Sequence, residues 1–133
     1  MRLDACGCAG RRRTVGDLVS ATAHAGDPSG APLRGEASWS ERLIVRVGLW
    51  RGEGGAVSRA RFKATTCASL LAYAELACEL LEDGVAPETI DAAALHARLE
   101  GVHPQHLDRA DLVIEALRAA LQQADQHPPE GTP

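Results

Sequence analysis

Between Val57 and Leu81 the hydrophobic period changes from two to about 3.6 within a few residues. Val57, Arg59, Arg61 and Lys63 alternate with Ala56, Ser58, Ala60 and Phe62, as in a strand with one rather polar face. From residue 68 the pattern is helical. Leu70, Leu71, Ala74, Leu76, Ala77, Leu80 and Leu81 make an apolar face, Glu75, Glu79 and Glu82 a polar one, and Gly84 a C-terminal stop. Cys67 falls on the junction. A thiol there lies near backbone N–H groups that have no partner within the helix, at the positive end of the helix dipole. Both favour the thiolate, the form that binds metal or attacks sulfur. The plainer reading is a small half-buried residue that only packs.

The flanking segments fit around this unit. Residues 41–49 are β-rich, and Arg51-Gly52-Glu53-Gly54-Gly55 turns them back onto Ala56–Ala64 as a hairpin, with the first strand beginning as early as Trp39. Pro87 starts a second helix carried by Ile90, Ala93, Ala94, Ala97 and Leu99 to Gly101, with His96 on its surface. After a connector over residues 102–106, Leu107 or Asp108 opens a last helix to Asp125, its buried stripe made by Val113, Ala116, Leu117, Ala120 and Leu121. Cys78 reads as core. Gly, Ala, Ser, Pro and Arg dominate residues 1–40, which predicts poor order over much of that length. A short helix at Thr14–Ala23, capped by Thr14 with Asp17 at its third position, is the exception. The organisation is a flexible arm over residues 1–30, a domain over 31–125 and a disordered tail over 126–133. The fold class is α+β: a small antiparallel sheet, the hairpin plus a third strand, packed against three or more helices.

A chain of 133 residues suits one domain with a real core. Aromatics are 3%, confined to Trp39, Trp50, Phe62 and Tyr73, so the core is aliphatic and base-stacking surface is scarce. With a net charge of −4 this argues against a nucleic-acid partner. No run is long enough to span a membrane, and there is no basic-then-apolar opening, which predicts a cytoplasmic protein. In that compartment Cys6, Cys8, Cys67 and Cys78 are read as thiols, metal ligands or sulfur chemistry rather than disulfides. Cys6-Gly7-Cys8, followed by Arg11-Arg12-Arg13, forms a chelating pair short of the three or four ligands a metal site needs.

Ala60-Arg61-Phe62-Lys63, then Cys67 and Ser69, then a helix ending at Gly84, resembles the iron–sulfur cluster assembly scaffold family (NifU N-terminal or IscU-like). The last helix, Arg109-Ala110-Asp111-Leu112-Val113-Ile114-Glu115-Ala116-Leu117-Arg118-Ala119-Ala120-Leu121, is similar to that family's, and the likeness runs over residues 32–122. The resemblance implies a platform that assembles a cluster on three cysteines, helped by an aspartate and a histidine. Carried over by position, Pro32-Leu33-Arg34-Gly35-Glu36 stands at the family's Pro-x-Cys-Gly-Asp, with Arg34 for the cysteine and Glu36 for the aspartate. Cys67 is the second cysteine, and Asp108-Arg109 replace the final His-Cys pair. One thiolate of three remains.

Arginine stays protonated and cannot ligate. Arg34 and Arg109 beside Cys67, with Lys63 lining the site, would repel cations, stabilise a thiolate, bind an anion, or pair with Glu36 and Asp108. Glu36, Cys67 and Asp108 offer a mixed oxygen–sulfur site for iron or zinc, with Cys6, Cys8, His103, His106 or a second copy of the chain as sources of further ligands. The resemblance therefore implies a scaffold-like or accessory protein of iron–sulfur assembly, not an enzyme. Its cofactor would be iron, zinc or a cluster, or none, and its partners a cysteine desulfurase, other assembly proteins and apo-protein recipients. The alternative is a degenerate scaffold that serves as a non-catalytic binding or regulatory module. A cysteine-nucleophile enzyme would need His103 or His106 as its base.

Overall fold

The computed structural model describes residues 13–126. Cys6, Cys8 and the segment 127–133 lie outside them. The order is β1 (Arg13–Thr14), α1 (Val15–Val19), β2 (Leu33–Ser40), β3 (Leu43–Arg51), β4 (Val57–Ala64), α2 (Ala68–Glu82), α3 (Ala92–Arg98), β5 (Leu99–Glu100) and α4 (Arg109–Gln126). β2, β3 and β4 form an antiparallel sheet in that order, and β1 pairs with β5 in a separate parallel ladder. The α+β class and the third strand of the small sheet are as the sequence implies.

One sheet face is apolar and carries the helices. Ala37, Val45, Val47, Leu49, Ala60 and Phe62 are buried there, with α4 lying along β2 and α2 along β4. β2 and α4 approach so closely that a Cβ on Gly35 would stand 2.1 Å from the Ala116 carbonyl oxygen and 2.4 Å from the Ala120 nitrogen. Gly35 is therefore a packing requirement. Arg34 and Glu36 alternate with it and face the other way.

α2 has the bounds its periodicity predicts, but its surroundings differ. Packed by β4, α1 and α4, it is buried nearly all round, and Glu75 on the expected polar face is 0% exposed. A helix surrounded on several sides has no free polar stripe. The second predicted helix is also interrupted. Pro87–Thr89 makes a 3-10 turn, buried Ile90 is extended, and Asp91 caps α3 by accepting from the Ala94 N–H at 2.9 Å. Leu99 and Glu100 leave the helix to pair with Arg13 and Thr14. His96, expected at the surface, is half-buried and hydrogen-bonds the Tyr73 hydroxyl through Nδ1 at 3.1 Å.

The low-complexity composition of residues 13–40 hides real structure. Thr14 and Asp17 form the expected reciprocal capping box, and Leu18 of α1 is buried against α2. Residues 24–26 then run along the free edge of β4, where the Phe62 N–H donates to the His24 carbonyl and the Gly26 N–H to the Phe62 carbonyl. This covers an edge that would otherwise expose unpaired backbone groups. The chain next crosses the outer sheet face, Pro28 and Ala31 resting where Gly48 has no side chain, before entering β2. A β-strand thus forms at Leu33–Ser40 in a stretch whose Gly, Ser and Pro content predicts little order. Its pairing with β3 and its contact with α4 outweigh weak local propensity.

The Gly35 contact is testable. Gly35→Ala forces backbone apart from backbone, so urea unfolding of the purified variant should show a loss of about 3 kcal/mol. Gly30→Ala, at a position with no heavy atom within 4 Å, should be near neutral.

Candidate functional site

Cys67 is the N-cap of α2, half-buried, with extended backbone (φ −140°, ψ 115°). Its carbonyl accepts the Leu71 N–H at 2.9 Å and starts the helix, while its side chain makes no capping bond. Arg109, the first residue of α4, lies close enough for Cys67 to act on its guanidinium electrostatically, and it donates from Nη1 to Asp108 Oδ1 at 2.6 Å. Burial works against the Arg109 charge, yet Cys67 and Asp108 beside it outweigh burial and hold its pKa above the ordinary arginine value. The Arg109 Nε is buried without a partner among the described residues, so the guanidinium keeps one donor unspent.

Ser69, two residues further, is buried with its Oγ 3.3 Å from His106 Nδ1. His103 closes the 3-10 turn Pro104–His106 by accepting the Gln105 N–H, its ring centroid 5.4 Å from that of His106. Among the described residues neither imidazole hydrogen-bonds Cys67; His106 is turned to Ser69 and His103 to the Gln105 N–H.

The other residues that sequence position assigned to this site lie elsewhere. The Arg34 backbone N–H donates to the Gln123 side chain near the far end of α4. At 1.5 Å per residue, the helix sets that point about 20 Å from Arg109. The Arg34 guanidinium donates to the Ser29 carbonyl at 3.1 Å. Glu36 pairs with Arg46 at 2.8 Å, and Lys63 sits beside Arg46 on the outer sheet face. The expected group of Cys67, Glu36 and Asp108 is therefore not assembled, and only one of the two arginines stands beside the thiol. The physical reason is register. Gly35 must face α4, so Arg34 and Glu36 must face away from it. Cys78 is buried, as expected of core, and burial pushes its thiol strongly up.

A second cluster escaped the sequence reading. Buried Glu75 accepts the His24 backbone N–H at 2.9 Å through Oε1, and its Oε2 lies 2.6 Å from His24 Nδ1. His24 Nε2 meets Glu82 Oε1 at 2.9 Å, and Glu82 Oε2 accepts both the Ala60 N–H and Arg61 Nη1 at 2.8 Å. Arg13 forks onto Glu79. His24, Glu75 and Glu79 offer ligand atoms within 4.8 Å of one another, the spacing of a metal site. Each of those side chains is nevertheless engaged in an ion pair, so the arrangement is a paired ion network. The signal in the sequence was the i, i+4, i+7 acidic stripe Glu75–Glu79–Glu82 on a helix otherwise rich in Leu and Ala.

Compared with known proteins, the chain matches no family model and no curated sequence. Among the described residues, no helix is long and apolar enough to cross a membrane.

The network makes stability pH-dependent in a defined sense. Burial opposes the His24 charge, but Glu75 and Glu82 outweigh it and raise the pKa above the ordinary 6.5. That stabilisation is complete below pH 6.5 and is lost as pH rises through the raised value. Burial likewise opposes the Glu82 charge, but the Ala60 N–H and His24 outweigh it and bring the pKa below the ordinary 4.5. Its contribution is present above pH 4.5 and lost as pH falls through the lowered value. Urea midpoints measured across pH should fall on both sides, and His24→Gln should flatten the alkaline limb. Glu75→Ala should cost about 3–5 kcal/mol at neutral pH, and Glu75→Gln, which keeps the backbone hydrogen bond, clearly less.

Proposed function

We propose that this protein is a scaffold-like accessory of iron–sulfur cluster assembly whose Cys67 accepts a sulfane sulfur from a donor persulfide. The observation that carries the reading is the placement of Cys67 at the head of α2, with Arg109 near enough at the head of α4 to interact with it electrostatically. The element order around it, strand–Cys–helix followed by a last helix, agrees with the family resemblance. Sulfur acceptance needs one thiol. A cluster held on three thiolates does not fit the described residues. Among the described residues Cys67 is the one cysteine at this end, Cys78 is buried in α2, and the charge of nearby Arg109 repels an incoming cation.

In the reaction, the Cys67 thiolate attacks the outer sulfur of a donor cysteine persulfide, R–S–SH. A bond forms between Cys67 Sγ and that sulfur, the donor S–S bond breaks, and the donor leaves as R–S⁻. The proton stays on the transferred sulfur, and no net oxidation occurs. In this reading Arg109, one N–H of which is unpartnered, stabilises the Cys67 thiolate before attack, and the negative charge leaves with R–S⁻. Physiological donors of this chemistry are cysteine desulfurases, and recipients are cluster-assembly proteins or apo-proteins. Localisation in the cytoplasm follows from the same reading.

The test is anaerobic incubation with a desulfurase and cysteine, followed by intact mass and peptide mapping. The wild type should gain one sulfur at Cys67, Cys67→Ser none at that peptide, and Arg109→Leu should load about tenfold more slowly. Loading of Cys67→Ser equal to wild type would move the acceptor elsewhere. No loading of the wild type by any donor would overturn the reading and leave a scaffold-derived module that binds partners without carrying sulfur.

A further inference from the structure

The helix-free face of the sheet carries charge that the site at Cys67 does not use. Arg34 on β2, Arg46 on β3 and Lys63 on β4 all point outward. With the Asp27–Ser29 turn passing above them, they line a pocket of about 460 Å³. That volume lies within the range of small-molecule sites.

Three features make this a built site. The roof is fixed, because residues 24–26 are pinned to the edge of β4 and Pro28 packs where a Cβ on Gly48 would come within 2.8 Å. The cations are crowded. Arg46 and Lys63 are directly paired across β3 and β4, an arrangement of like charges that is unfavourable without an anion nearby. The anions present are otherwise committed. Glu36 holds Arg46 in an exposed pair at 2.8 Å, while Asp27 accepts the Ser29 N–H at 2.9 Å. Among the described residues no carboxylate forms a close ion pair with Lys63 or Arg34: Asp27 feels the Lys63 charge without a salt bridge to it, and the Arg34 guanidinium donates to the Ser29 carbonyl. Exposed pairs such as Glu36–Arg46 are weak, so Arg46 can turn to a ligand at little cost.

We propose that this pocket binds a small molecule bearing two or more negative charges, a polycarboxylate or a phosphate compound, held by Lys63 and Arg34 with Arg46 between them. The guanidinium groups supply forked donors to oxyanions and the ammonium a mobile point charge. The site is on a different face of the sheet from the helix-packed core, about 20 Å along α4 from Arg109 at its Arg34 end. It stands independently of sulfur transfer.

The experiment is amide NMR titration and calorimetry of the full chain with pyrophosphate and, separately, citrate, at matched ionic strength. Saturable shifts are expected at Asp27–Ser29, Arg34 and Lys63. Lys63→Ala and Arg34→Ala should each weaken binding about tenfold. Arg59→Ala, which removes a cation stacked 4.9 Å over Trp50 on the same sheet but outside the pocket, should change it by less than about twofold. Cys67→Ser should bind as wild type. Tighter pyrophosphate binding marks a phosphate site, and tighter citrate binding a carboxylate site. Shifts that do not saturate, or equal weakening by Arg59→Ala, would reduce the effect to diffuse surface charge and overturn the proposal.

Discussion

A carboxylate with no solvent exposure sits in the middle of α2, and the outer architecture hangs from it. Burying Glu75 without partners would be prohibitive. His24 answers with both its backbone N–H and its ring, and so ties the segment before β2 to the central helix. That tie sets residues 24–26 along the edge of β4, and from there the chain must cross the outer sheet face to reach β2. The roof of the basic pocket is therefore a consequence of an ion pair on the opposite side of β4. Glu82 extends the same logic by bonding His24, Arg61 and the Ala60 N–H, so helix, strand and edge segment share one set of charges.

A second constraint is the near contact of β2 and α4. The absence of a side chain on Gly35 brings the backbones together, and strand alternation then sends Arg34 and Glu36 to the solvent face. This separates two chemistries that a linear comparison had merged. At the head of α4, Arg109 lies near a thiol. Near the other end, Arg34 faces a pocket with Arg46 and Lys63. In the readings proposed above, one end of the molecule serves an anionic sulfur and the helix-free face an oxyanion.

Local pattern was legible where one physical signal dominated. α2 could be bounded from its apolar density and from Gly84, whose φ of 100° fits the expected stop. The hairpin followed from β-rich runs around a glycine-rich turn, and α1 from the Thr14–Asp17 box. The Cys67 junction followed from the change of period, and the resemblance set both Arg34 and Arg109 beside it, of which Arg34 lies elsewhere. Pro87 correctly marked a helical start, but Asp91 offered a better cap four residues later and the helix was divided there. β2 was hidden because Gly35 and its small neighbours carry little strand propensity; they are suited to close packing instead.

By itself, then, the amino-acid order determined α1, α2, α4 and the β3–β4 hairpin, the α+β class, and the position of one thiol at the head of a helix. These rest on short-range effects: side-chain period, capping and the φ preferences of glycine. Tertiary structure alone decided that Glu75 is buried, that His24 reaches it across 51 residues of chain, and that Arg109 but not Arg34 lies near Cys67. Those outcomes depend on which faces meet after the strands pair. A helical wheel shows Glu75 as polar whether its neighbour is water or histidine, and strand register, set by the contact at Gly35, decides where each arginine points.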